Sequence, residues 1–183
     1  MDVRAMESFT SLLAIIAASG AVVLVFARAI SSSWIPAADF VRSVHSVSTW
    51  LAWLVAAVAT AGSLYFSEVA DYVPCRLCWF QRICMYPLAG ILLVAALRRD
   101  RAVRWYALPL LVAGAVLSSY HYLIEWRPSL DGGACGVGPS CTDVWFRSYG
   151  FVTLAFMALS GFAAVAALLF VTPVAVRGDR EED

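Results

Sequence analysis

Charge is what this 183-residue chain has least of: 14% of its residues are Asp, Glu, Lys or Arg, where a soluble domain carries roughly a quarter. With 62% hydrophobic residues and a mean hydropathy of +0.78, a water-soluble fold could not hide its apolar surface. Lysine is missing altogether, and all 13 basic residues are arginine, a compositional bias that says nothing about activity. Net charge is +0, so no global field draws in nucleic acid or a polyanion, and charge has to be read by position. Internal repeats and low-complexity segments are absent too. The chain therefore reads as an all-α membrane protein in contact with the bilayer.

Charged residues divide it into five apolar runs, against the roughly 20 residues that cross a hydrocarbon core. Ser8 to Ala27, Ser46 to Ser67 and Trp105 to Ile124 are uncharged, and Ser148 to Val176 is broken only by Pro173, where a helix is expected to end. The third run differs. Its uncharged part, Ile83 to Leu97, has only 15 residues, so a spanning helix must begin near Leu77 and carry Arg82 in its outer turns. An arginine at that depth is costly and marks function, against the alternative that it merely snorkels to the headgroups. The first run could also be a signal peptide cut near Ala27-Arg28-Ala29. The opening MDVRAMES lacks a positive n-region, and the run exceeds the ~7–15 residues of a signal core, so a retained helix is expected. The division that follows is residues 1–45 as an N-terminal transmembrane helix and linker, with Ser31 to Ser43 polar, then 46–176 as a helical bundle and 177–183 as a short charged cytoplasmic tail.

Arginines set the orientation. Arg28, Arg42, Arg98, Arg99, Arg101, Arg104, Arg177 and Arg180 fall on one side of a five-span chain, and Arg4, Arg76, Arg82, Arg127 and Arg147 on the other. Eight against five puts the N-terminus outside and the C-terminus inside.

That orientation puts four of the five cysteines in outer loops, as two close pairs. Disulfide chemistry belongs to oxidising compartments. The first pair lies in Pro74-Cys75-Arg76-Leu77-Cys78-Trp79-Phe80-Gln81-Arg82. Haem attachment would require a histidine after the second cysteine, and Trp79 stands there. Zinc would require about four ligands, which Cys135 and Cys141 could complete. The redox reading rests on geometry: in a helix starting within the motif, Cys75, Cys78 and Arg82 occupy i, i+3 and i+7 on one face. A helix N-terminus and a guanidinium both stabilise a thiolate. The second pair, Cys135 and Cys141, is joined by the turn-forming Gly136-Val137-Gly138-Pro139-Ser140, which can fold back to allow a disulfide. Exposed in a loop, that disulfide would be labile and fit for exchange; the alternative is an inert staple between helix ends.

The stretch GSLYFSEVADYVPCRLCWFQRICMYPL, followed by SSYHYLIEW and the second pair, resembles the bacterial disulfide bond formation protein B (DsbB) family, in particular its BdbC-like branch, over about Ser48 to Phe170. The resemblance implies a four-helix transmembrane bundle core, to which the run at Ser8 to Ala27 adds one N-terminal transmembrane helix. It also implies a thiol oxidoreductase in the bacterial inner membrane. Its Cys75–Cys78 pair and Arg82 would adjoin a bound quinone, ubiquinone or menaquinone, and its Cys135–Cys141 pair would exchange with a DsbA-like thioredoxin-fold oxidase. His121, four residues before Glu125 on one helix face, would then hydrogen-bond a quinone oxygen or shuttle its proton, while Glu125 could equally be a solvated helix end. Cys84 reads as a packing residue, and Trp50, Trp53, Tyr65, Trp105, Tyr120 and Tyr122 as interfacial anchors. By chain order the partner attacks Cys135, Cys141 attacks Cys75, and the Cys78 thiolate reduces quinone. No metal is expected. Two rivals remain. A vitamin K epoxide reductase-like enzyme would carry its C-x-x-C pair after the loop pair, the reverse of the order here, and a metal-binding membrane subunit would hold metal without redox change at its thiols.

Overall fold

The computed structural model describes residues 2–133, 135–136 and 138–172. Five helices run through them: α1 (Val3–Ile30), α2 (Ile35–Glu68), α3 (Arg76–Arg98), α4 (Val103–Trp126) and α5 (Leu154–Phe170), with a single 3-10 turn at Pro128–Leu130. Helices α1 to α4 are long and apolar enough to cross a membrane, and α5 is a shorter apolar helix. Large apolar side chains such as Phe9, Val22, Phe26, Ile83 and Val116 stand exposed. Water penalises such an exterior and lipid does not, so the chain is a multi-pass helical membrane bundle.

Local chemistry sets the helix limits. Asp2 caps α1 by accepting from the Arg4 amide at 3.2 Å, and Thr153 caps α5 by accepting from the Phe156 amide at 3.3 Å, each satisfying a donor that the first helical turn leaves free. Pro36 sits in the first turn of α2, where its missing N–H costs nothing. Helix α3 stops at Arg99 in the left-handed region, with the Asp100 amide bonded back to the Ala95 carbonyl. Pro87 and Pro109 lie inside α3 and α4, as membrane helices tolerate.

Two sequence expectations change. The polar linker from Ser31 to Ser43 is a loop only as far as Trp34; from Ile35 onward it forms the first turns of α2, with Val41 buried in the core. The last run does not begin its helix at Ser148. Tyr149 and Gly150 both adopt positive φ in a tight three-residue loop closed by the Ser148 and Val152 backbones, so α5 begins after Thr153. It ends at Phe170, and Pro173 and the tail 177–183 lie outside the described residues.

Helix α5 packs against α1, α2 and α4, and α3 sits between α2 and α4. The core joins Val41, Ala52, Leu88, Leu92, Leu111 and Phe162, together with the buried Cys84. At the α4–α5 crossing the Phe162 ring lies over Gly114, where a Cβ would stand 2.2 Å from ring carbons. The helices alternate direction, so both cysteine pairs gather at the end that also carries the N-terminus. The opposite end is tied by His45, which contacts the Val171 carbonyl at 2.7 Å and the Arg101 guanidinium at 2.6 Å.

Candidate redox site

The first cysteine pair owes its geometry to how the chain enters α3. Asp71 at φ 55 breaks the path out of α2, and Pro74 biases the residue before it towards extended backbone. Cys75 is then extended as the N-cap, its Sγ accepting from the Cys78 amide at 3.4 Å. One turn on, Cys78 places its Sγ 2.9 Å from that of Cys75.

Behind Cys75 runs a buried polar chain. His121 Nε2 lies 3.7 Å from Cys75 Sγ and 3.8 Å from Glu125 Oε1. Its Nδ1 faces the Gln81 side-chain amide at 3.0 Å; with Gln81 donating, Nε2 is the nitrogen that bears the proton and points it at the sulfur. The Thr153 hydroxyl donates to Glu125 Oε2 at 2.6 Å. The hydrogen bond with Cys78 holds the Cys75 thiol well below its ordinary value, against the opposing effect of burial and with reinforcement from His121. Cys75 is therefore the ready thiolate of the reduced pair.

Cys135 and Cys141 form a disulfide with Cα atoms 5.9 Å apart. It is not exposed, as its loop position led us to expect: Cys135 retains 7% of its surface and Cys141 1%. Both sulfurs pack with Cys75, Leu77 and Ile124, because the loop after α4 folds onto the bundle end rather than extending from it. Tyr120 pins that loop through the Leu130 carbonyl and Gly132 amide, both at 3.3 Å, and Tyr122 through the Phe151 carbonyl at 3.0 Å. These two tyrosines, expected as interfacial anchors, also hold the disulfide loop. Further along it, Trp145 stacks on Tyr72 at 4.7 Å, and Tyr72 in turn stacks on Phe66 at 5.6 Å.

Two cavities flank the first pair. One, of about 430 Å³, is largely apolar and lies among α1, α2, α3 and α5, with Cys78, Arg82 and Tyr86 in its lining. The Arg82 guanidinium donates to the Ser63 carbonyl at 3.1 Å and lies over the Trp79 ring, 5.4 Å from its centroid. The other, of about 20 Å³, is bounded by Cys75, His121, Glu125 and Asp143, room for a single water-sized molecule. Cys78 borders both; Cys75, Cys135 and Cys141 do not line the larger.

Of the six site residues expected from sequence, the four cysteines and His121 come together, and Arg82 joins them through Cys78. His121 backs Cys75 and is absent from the lining of the larger cavity. Glu125 is a buried partner of His121 rather than a solvated helix end. Gln81 and Thr153 were not among the site residues expected from sequence. Gln81 is the only glutamine in the chain and stands beside the motif arginine, and Thr153 has the signature of a cap before an apolar run. In the disulfide-bonded form Cys135 and Cys141 are not available as thiolate ligands. Cys75, Cys78 and His121 have ligand atoms within 4.8 Å of one another, three donors where structural zinc takes four.

Two cysteine pairs packed at one end of a helical membrane bundle are the makings of a membrane disulfide oxidoreductase. Residues 45–172 match the model of the family described as disulfide bond formation protein DsbB. The chain is 39% identical over 137 residues to disulfide bond formation protein C of Bacillus subtilis, covering 74% of this chain and 96% of that one. It is 43% identical over 122 residues to a probable disulfide formation protein C 1 of Bacillus anthracis, covering 66% and 87%, and 43% identical over 120 residues to a probable disulfide formation protein of Coxiella burnetii, covering 64% and 82%. No solved structure matches it significantly. The chain belongs to the DsbB family of disulfide bond formation proteins.

Proposed function

We propose that the protein oxidises a DsbA-like thioredoxin-fold partner on the outer side of a bacterial inner membrane and passes the electrons to a membrane quinone, ubiquinone or menaquinone. The observation that carries this reading is the position of Cys78, between a polar pocket that serves Cys75 and a large apolar cavity that holds Arg82. The cavity's lining suits a lipid-soluble ring: largely apolar walls with one guanidinium, the Gln81 amide and one thiol. The outward orientation is supported by the arginines, of which Arg28, Arg42, Arg98, Arg99, Arg101 and Arg104 lie towards the end remote from the cysteines.

The relay balances as follows. A partner thiolate attacks Cys135, the Cys135–Cys141 bond breaks, and Cys141 leaves as thiolate. Cys141 attacks Cys75 of the oxidised Cys75–Cys78 pair, and Cys78 leaves as a thiolate facing the cavity. The partner's second thiol resolves its bond to Cys135; Cys135 recaptures Cys141, and Cys75 leaves as a thiolate beside His121. The Cys75–Cys78 disulfide re-forms as two electrons depart. A bound quinone would supply the sink for those electrons and two protons, leaving as quinol. Arg82 stabilises the Cys78 thiolate and orients the acceptor, and His121 stabilises the Cys75 thiolate. Cys135, slightly more exposed than Cys141, suits the first attack.

The test is quinone reduction by purified protein supplied with a reduced thioredoxin-fold partner, alongside trapping by Cys141→Ala, which should accumulate a mixed disulfide through Cys135. Trapping that needs Cys135→Ala would reverse the two roles. Partner oxidation without quinone reduction would overturn the acceptor assignment.

A further inference from the structure

The family match begins at residue 45, so it leaves α1 without a role, yet α1 supplies one wall of the large cavity. Thr10, Leu13, Ala14 and Ala17 line it; they recur at i, i+3, i+4 and i+7, a single helical stripe. Helix α1 is antiparallel to α2, and the pair's register can be read from Gly62, where a Cβ would meet Thr10 Cγ2 at 3.9 Å. Moving away from the cysteines, α1 advances towards Ile16 while α2 retreats through Val58 to Leu54, along the same stripe as Gly62. These three residues line the cavity and are nevertheless 58%, 42% and 50% exposed, in the order Ile16, Val58, Leu54. A side chain that borders both an interior cavity and the lipid marks an opening, so the α1–α2 seam is closed near Thr10 and open one to two turns deeper. At the outer end α1 is pinned by the hydrogen bond from the Tyr72 hydroxyl to the Glu7 carboxylate, just before the Cys75 motif.

We infer that α1 and α2 form a lateral portal, bounded by Ile16, Leu54 and Val58, through which the polyprenyl tail of the quinone passes into the bilayer while the ring lies at Cys78 and Arg82. A cavity of about 150 Å³ accommodates one benzene-sized ring; the 430 Å³ here leaves space beyond a single ring for the start of a chain. Small side chains at Ala14, Ala17 and Gly62 keep the path clear. This assignment rests on the quinone reading of the cavity and gives the added helix its part in substrate binding: it selects for tailed over tailless acceptors.

The experiment uses the full-length protein in detergent, a quinone with a photoreactive diazirine in its first isoprenoid unit, and a tailless quinone of the same ring. Photolabelling mapped by mass spectrometry should fall on the peptides bearing Ile16 and Leu54. Binding of the two quinones, followed by tryptophan quenching, should show the tailed form favoured in wild type, with that preference reduced about tenfold in Ile16→Trp and in Leu54→Trp as buried tail methylenes are displaced. Val22→Phe, on the exposed face of α1 outside the cavity, should leave the preference intact. Label confined to other helices, or an unchanged preference in both portal variants, overturns the portal while leaving the quinone reading standing. Failure of wild type to bind either quinone overturns both.

Discussion

The two sides of the Cys75–Cys78 pair could hardly be less alike. Towards α4 the protein buries His121 and Glu125 beside a pocket fit for one small molecule, with Gln81 bonded to His121 and Thr153 to Glu125. Towards α1 it leaves a cavity some twenty times larger, walled mainly by apolar and small side chains and lined also by Arg82 and Gln81. A polar network in a low-dielectric interior survives only if its members satisfy one another, and this one is placed to manage protons and the charge of a thiolate. The apolar cavity can do neither but admits a lipid-soluble molecule. The cysteine pair thus stands between a polar network and an apolar cavity: Cys78 borders both, and Gln81 links them, lining the cavity while bonded to His121. Each side should nonetheless break without the other.

The largest effect should come from Arg82 on the cavity side. Replacing a partly buried charged hydrogen-bonding group loses about 1.5–3 kcal/mol, so Arg82→Met should raise the apparent KM for quinone by roughly tenfold to a hundredfold. Arg82→Lys should lose less, since it keeps the charge but not the planar fork. Mixed-disulfide formation with the partner should be unchanged in both. Wild-type rate and affinity in Arg82→Met would make Arg82 a snorkelling residue only.

The complementary break is at His121. The Cys75 pKa is depressed, so the thiolate is present above that lowered value and lost as pH falls through it; removing a stabilising partner moves the loss to higher pH. In the reduced protein, the pH midpoint for iodoacetamide alkylation of Cys75 should rise by roughly one unit in His121→Gln, a shift typical of losing a nearby charge or hydrogen bond. Quinone affinity should hold. If the midpoint stays put while the quinone KM rises, His121 serves the cavity, as its resemblance to the family first implied.

The two sides also differ in how far the sequence disclosed them. Spans, the placement of both cysteine pairs at one end and the contact of Arg82 with Cys78's surroundings follow from local signals: apolar run length, arginine distribution and helical spacing. Burial of the Cys135–Cys141 disulfide does not, because it depends on Tyr120 and Tyr122 catching carbonyls and amides far along the chain. Nor does the pairing of Glu125 with Thr153, 28 residues apart. The cavity was illegible for a related reason. Thr10, Ala14 and Ala17 carry no chemistry of their own, and only the docking of α1 between α2 and α5 turns them into a wall.

The smallest expected effect tests whether the contrast extends to the outer rim, where Tyr72 belongs to both sides. Its ring stacks on Trp145 of the disulfide loop, while its hydroxyl holds Glu7 of α1. Burial, aided by that hydrogen bond, raises its pKa to about 12, so it remains a donor at any working pH. Tyr72→Phe keeps the stack and deletes only the link to α1. Because Tyr72 is only partly buried, the loss is worth no more than an ordinary net hydrogen bond, about 0.5–1 kcal/mol. The affinity for a tailed quinone should therefore fall by about two- to fivefold, as α1 loosens over the cavity. The Cys75 alkylation profile and the rate of partner exchange should be superimposable on wild type. Should the alkylation midpoint shift as well, Tyr72 acts on the thiol side through Trp145, and the two sides of the cysteine pair are mechanically joined rather than separable.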